Sequence, residues 1–137
     1  MKQYFRYVLA PILVGGLIFY GTCLITPDDV PNLPSILPIS WDKLVHFGMF
    51  FLLSFVNFID YYKLHDGKPI MRKWIFWGLI LPIFYGGMIE VLQENYFSRS
   101  GEWLDFVADA LGSLTAFAVI LFIRERYWKK GKKTIFA

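Results

Sequence analysis

The sequence predicts an all-α fold, a four-helix transmembrane bundle, and three observations carry that reading. Four apolar stretches, roughly residues 7–25, 44–62, 74–92 and 104–123, are each close to the ~20 residues that cover ~30 Å of hydrocarbon at ~1.5 Å of rise per residue. Hydrophobic residues make up 56% of only 137, which leaves room for a single integral membrane domain over residues 1–137. Asp42, Lys43, His46, Glu90, Gln93, Arg99, Asp105 and Asp109, in or beside the last three stretches, all fall toward one membrane face.

Charge sets the expected orientation. Lys2 and Arg6 precede the first span, and Lys63, Lys68, Arg72 and Lys73 separate the second from the third. Arg124, Arg126, Lys129, Lys130, Lys132 and Lys133 follow the fourth, so only Lys43 and Arg99 remain for the other two loops. The positive-inside rule then places both termini in the cytoplasm, with loops 26–42 and 93–103 outside. The basic tail reads as a topology determinant and anionic-lipid contact, and no nucleic-acid partner is expected.

The first span carries Pro11 and the pair Gly15-Gly16, a point for bending or close helix approach. Cys23 is the only cysteine, which excludes an intrachain disulfide. The preceding Tyr20-Gly21-Thr22 is a poor lipoprotein cleavage context, and no A-x-A-like site precedes the polar loop, so the span is expected to remain. Pro27, Pro31, Pro34 and Pro38 make the next loop irregular, and Ser40 is the candidate N-cap of the second helix. Residues 63–73, with Gly67-Lys68-Pro69, read as a plain turn. The third span contains Pro82 and Gly86-Gly87, and Gly101 suits a tight turn before the fourth. Trp41, Trp74, Trp103 and Trp128 fall near the expected interfaces, as an aromatic belt would place them.

Residues three or four apart share a helix face. Asp42 and His46 are therefore neighbours at the outer start of the second helix, with Lys43 beside them. Gly86, Glu90 and Gln93 stack on the third helix, and Asp105, Asp109 and Gly112 on the fourth. Gly86 and Gly112 are candidate helix-packing positions, and Ala108, Gly112 and Ala116 form a second small-residue line. Carboxylates facing lipid would be costly, so these faces are expected to converge. The result is a polar pocket of Asp42, Lys43, His46, Glu90, Gln93, Arg99, Asp105 and Asp109, roughly 5–10 Å deep by helical rise. Arg99 and Lys43 would hold an anionic headgroup, and the acids would orient them or move protons.

Plainer readings compete. Asp42 and Asp105 complement helix dipoles from first-turn positions, Lys43 could snorkel, and Arg99 could pair with Glu90 or Asp105 only to fix the bundle. His46 with Glu90, Asp105 and Asp109 supplies ligand types for zinc or manganese, but one histidine in the cluster, with no H-x-x-x-H or H-E-x-x-H pair, gives no metal signature, and neither metal nor cofactor is expected. No G-x-S-x-G supports a nucleophilic serine.

The ordered set Asp42-Lys43-Leu44-Val45-His46-Phe47, Glu90-Val91-Leu92-Gln93, Arg99 and Asp105-Phe106-Val107-Ala108-Asp109-Ala110-Leu111-Gly112 resembles the VanZ-like family of bacterial membrane proteins. It departs from the family pattern at Asp109, where asparagine is common. The resemblance implies a multi-pass protein of the bacterial cytoplasmic (inner) membrane, associated with tolerance of teicoplanin-type glycopeptides. The expected partner is a membrane lipid or lipidated amphiphile bound at the outward pocket. An intramembrane enzyme acting on a lipid-linked envelope precursor, or a structural helper in a homo-oligomer or larger membrane complex, are the alternatives.

Overall fold

The computed structural model describes residues 2–25, 40–97 and 101–129. It contains four long helices and, among the described residues, no strand. Helix α1 is Lys2–Phe19, prolonged by a π-helical turn, Tyr20–Leu24. Helix α2 is Trp41–Leu64. Helix α3, Met71–Tyr96, is interrupted by a π-helical turn, Phe76–Ile80. Helix α4, Trp103–Trp128, ends in another, Arg124–Trp128. All four are long and apolar enough to cross a membrane. Phe5, Leu17, Phe84 and Phe122 stand outward at 68%, 68%, 71% and 62% exposure, a surface that water would not tolerate and that hydrocarbon requires.

The closest pair is α2 with α4, two helices that are not consecutive and that run parallel. Their register is read from matched contacts: Lys43 with Asp105, His46 with Asp109, and Phe58 stacked on Phe117. Gly112 allows this approach, because a Cβ there would collide with the carbonyl oxygen of Phe47 and lie 3.0 Å from the Phe51 nitrogen. Ala108 and Ala116, one turn to either side, are buried along the same seam. In a bilayer such contact is favoured by close packing and dispersion more than by the hydrophobic effect.

Helix α3 returns antiparallel and α1 packs at the edge. Gly86 of α3 faces Asp109, whose Oδ2 would lie 2.9 Å from an added Cβ. Pro82 cannot donate an N–H, and the backbone turn preceding it widens to π geometry. There Asn57 Nδ2 of α2 donates to the Trp77 carbonyl at 2.9 Å. The turn between α2 and α3 is narrower than the stretch expected from sequence, with positive φ at Asp66 (50°) and Gly67 (73°). Gly67 N–H donates to the Tyr62 carbonyl at 2.9 Å.

Three expectations change. Trp74 is not part of an interfacial belt: it is fully buried, donates Nε1–H to the Phe58 carbonyl at 2.8 Å, and lies beneath Arg124 at 5.5 Å. Its indole fills the gap where α2, α3 and α4 meet, a place that hydropathy cannot distinguish from an interface. Gly15 and Gly16 make no close helix contact, since nothing would meet a Cβ at either. They border instead an apolar groove between α1, α2 and α3 of about 690 Å³, where Tyr85 OH donates to the Gly15 carbonyl at 2.7 Å. Ser40 holds the N-cap position of α2, but its hydroxyl makes no capping hydrogen bond.

Candidate functional site

The polar end of the bundle is built where α2 and α4 begin and α3 ends. Asp42 and Lys43 occupy the first turn of α2, and His46 lies one turn deeper at 2% exposure. Asp105 and Asp109 repeat that spacing on α4 at 5% and 0%. Because α2 and α4 run parallel in register, the two pairs are stacked in layers.

The upper layer is an ion-pair bridge. Lys43 Nζ donates to Glu102 Oε2 at 2.7 Å and to Asp105 Oδ1 at 3.1 Å. The lower layer is buried: His46 Nδ1 lies 2.9 Å from Asp109 Oδ1. With Asp109 ionised, the carboxylate can only accept, Nδ1 carries the proton, and Nε2 is the ring's second polar atom.

Glu90 closes the site from α3. Its Oε2 accepts the Glu102 backbone N–H at 3.0 Å, which ties the end of α3 to the start of α4. Gly101 permits that return, since a Cβ would sit 2.9 Å from the Glu90 carbonyl oxygen. Glu90 Oε1 and Asp109 Oδ2 are buried and have no hydrogen-bond partner among the described residues.

The structure thus brings together Asp42, Lys43, His46, Glu90, Asp105 and Asp109, as the helical spacing implies. Asp42, His46 and Asp105 offer ligand-type atoms within 4.8 Å of one another, and so do His46, Glu90 and Asp109. Gln93 stands apart: it is 2% exposed and its Nε2 donates to the Thr22 carbonyl at 2.7 Å, clamping the end of α1 to α3. Arg99 lies outside the described residues. Gly86 and Gly112 take the packing roles their small size implies.

Sequence reasoning missed Glu102. It immediately precedes α4, where an acid reads as a plain helix-dipole partner, yet it both pairs with Lys43 and fixes Glu90. The acid three positions before Asp105 was the available signal. Beside it, a pocket of about 320 Å³ opens between α3 and α4, lined by Glu90, Glu94 and Glu102 with Val91, Trp103 and Phe106. Val91 and Trp103 stand 58% and 72% exposed at its rim.

Comparison of the chain with protein-family models, with curated proteins and with solved structures returns no match. The class is defined by the fold itself: a multi-pass membrane protein of four spans with a buried, acid-rich polar cluster at one end.

Proposed function

We propose that this protein is an envelope membrane protein that binds the polar headgroup of an amphiphile at the pocket between α3 and α4. The observation that carries the reading is the chemistry of that pocket. Three carboxylates line it beside Val91, Trp103 and Phe106, and no base is among the described lining residues. Lys43, a cation that could serve an anionic headgroup, already bridges Glu102 and Asp105. The carboxylates therefore favour an amine-bearing headgroup, held by charge-assisted hydrogen bonds to Glu94 and Glu102. Its hydrocarbon would leave between Val91 and Trp103 into the bilayer. A volume near the lower end of the usual ~300–1,000 Å³ ligand range suits a headgroup without its tails.

In this reading both termini are cytoplasmic, following the distribution of lysine and arginine, and the pocket faces outward. The resemblance to the VanZ-like family extends the proposal to teicoplanin-type tolerance, with a lipidated antibiotic competing for the same headgroup site. The test is lipid retention in nanodiscs of mixed phosphatidylethanolamine and phosphatidylglycerol, read by native mass spectrometry. Wild type should retain the amine lipid, and Glu94→Gln should lose it. Preference for the phosphatidylglycerol, or retention unaffected by Glu94→Gln, would overturn the reading.

The enzyme alternative draws on the His46–Asp109 contact, the geometry of a base and its orienting acid. His46 is nevertheless 2% exposed, which argues for a supporting role. Turnover of a lipid-linked phosphate by the purified protein, lost in His46→Gln, would replace binding with catalysis.

A further inference from the structure

We propose that His46, Glu90 and Asp109 form a binding site for a divalent transition cation, with zinc the best fit. The three side chains come from α2, α3 and α4, so the site ties the three central spans together at one point. Each offers a ligand atom within 4.8 Å of the others. Bonds of ~2.0–2.2 Å to zinc place two donors on one ion no more than about 4 Å apart, so the atoms need to close by under about 1 Å.

Two independent observations point to a cation in this cluster. The first is that Glu90 Oε1 and Asp109 Oδ2 are buried acceptors with no hydrogen-bond partner among the described residues. Asp109 is wholly buried, and its Oδ2 points across to Gly86, one helical turn before Glu90 on α3. The glycine leaves room for the carboxylate on the side that faces Glu90. The second is charge. Among the described residues, Glu90 and Asp109 have only the imidazole of His46 close by, because Lys43 is engaged one layer above by Glu102 and Asp105. One imidazolium balances one carboxylate, whereas a divalent ion balances both in a setting where unmatched charge is costly.

The donor set narrows the metal. One imidazole and two carboxylates suit zinc or manganese over magnesium and calcium, which favour all-oxygen shells. The outer support is also present, since the Glu102 N–H holds Glu90 Oε2 and fixes that carboxylate. The neighbouring group of Asp42, His46 and Asp105 shares the imidazole, but Asp105 is already bonded to Lys43. The inner triad is therefore the stronger site. Its ligands lie on three separate spans, so no short motif in the sequence announces it.

The experiment uses the full chain, stripped with chelator, in detergent free of amine-bearing lipid. That condition separates this inference from the headgroup reading: either can fail alone. Cobalt(II) is titrated as a spectroscopic probe and then displaced by zinc. Wild type should show a visible absorption band that saturates at one equivalent per chain and is lost on zinc addition. Glu90→Gln and Asp109→Asn each remove a ligand and should weaken zinc binding by at least about a hundredfold, the upper end for loss of an outer-shell partner, and the exposed Glu125→Gln should leave it unchanged. Zinc should also raise the unfolding temperature of wild type, a readout that requires no variant. Absence of saturable one-to-one binding, equal binding by Asp109→Asn, or no rise in unfolding temperature would overturn the proposal.

Discussion

His46 of α2 and Asp109 of α4 meet at 2.9 Å, at 2% and 0% exposure, in the layer just above the Gly112 crossing. Backbone contact at the glycine and polar contact at the pair hold the same two helices in one register. Neither could shift by a turn without separating both.

Replacing Asp109 therefore separates shape from charge. Asp109→Asn keeps an oxygen to accept from His46 Nδ1 and should cost under about 1.5 kcal/mol. Asp109→Leu removes the acceptor, leaves the imidazole buried without it, and should cost about 3–5 kcal/mol. Reversible unfolding in mixed micelles checks the order, which is reversed if the pair contributes nothing.

Gly112→Ala should loosen the bundle although it adds one methyl group. The new Cβ meets the Phe47 carbonyl, and backbone cannot rotate away as a side chain can. A loss of about 1–3 kcal/mol is expected, while Gly48→Ala on α2, where nothing lies within 4 Å, should be close to neutral.

The Lys43 bridge predicts an asymmetry between its ends. Glu102 is half exposed, so Glu102→Gln should cost no more than about 1 kcal/mol, and less at high salt. Lys43→Met strips the cation from Asp105, whose side chain is only 7% exposed, and should cost about 3 kcal/mol. Equal losses in the two variants would mean that Asp105 draws little from Lys43.

Trp74→Phe should cost about 2 kcal/mol, through the lost Nε1–H bond to Phe58 and a gap against the Phe58 ring at 5.3 Å centroid separation. Fluorescence quenchers confined to the headgroup level should quench Trp103 and spare Trp74. Strong quenching of Trp74 would return it to the interface.

The proposed orientation is checked in a Cys23→Ser background. Lys68→Cys, on the exposed turn between α2 and α3, should react with an impermeant maleimide only after the cytoplasm is opened. Tyr96→Cys, 76% exposed at the end of α3, should react from outside in intact cells. The reverse pattern would invert the protein in its membrane.

The helices and the convergence of Asp42, His46, Glu90, Asp105 and Asp109 were legible in the sequence for one physical reason. Hydrocarbon tolerates only satisfied backbone and shielded charge, so apolar length marks spans and acids mark inward faces. Gln93 shared that helical face yet turned to α1, because the face is wide enough to serve two neighbours. Trp74 and Glu102 were misjudged or missed because their partners depend on how non-consecutive helices meet, which no local pattern encodes. The same holds for Asn57, whose bond to the Trp77 carbonyl answers a backbone irregularity set by Pro82.

The parallel pairing of α2 with α4 also has a consequence for biogenesis. Lys43 and His46 find their partners 62 and 63 residues later in the chain. At ~5–20 residues per second, translation delivers those partners roughly 3–12 s after the α2 groups are made. The nascent protein must therefore hold a lysine and a histidine near the membrane boundary without Asp105 or Asp109, until the last span arrives and completes the cluster.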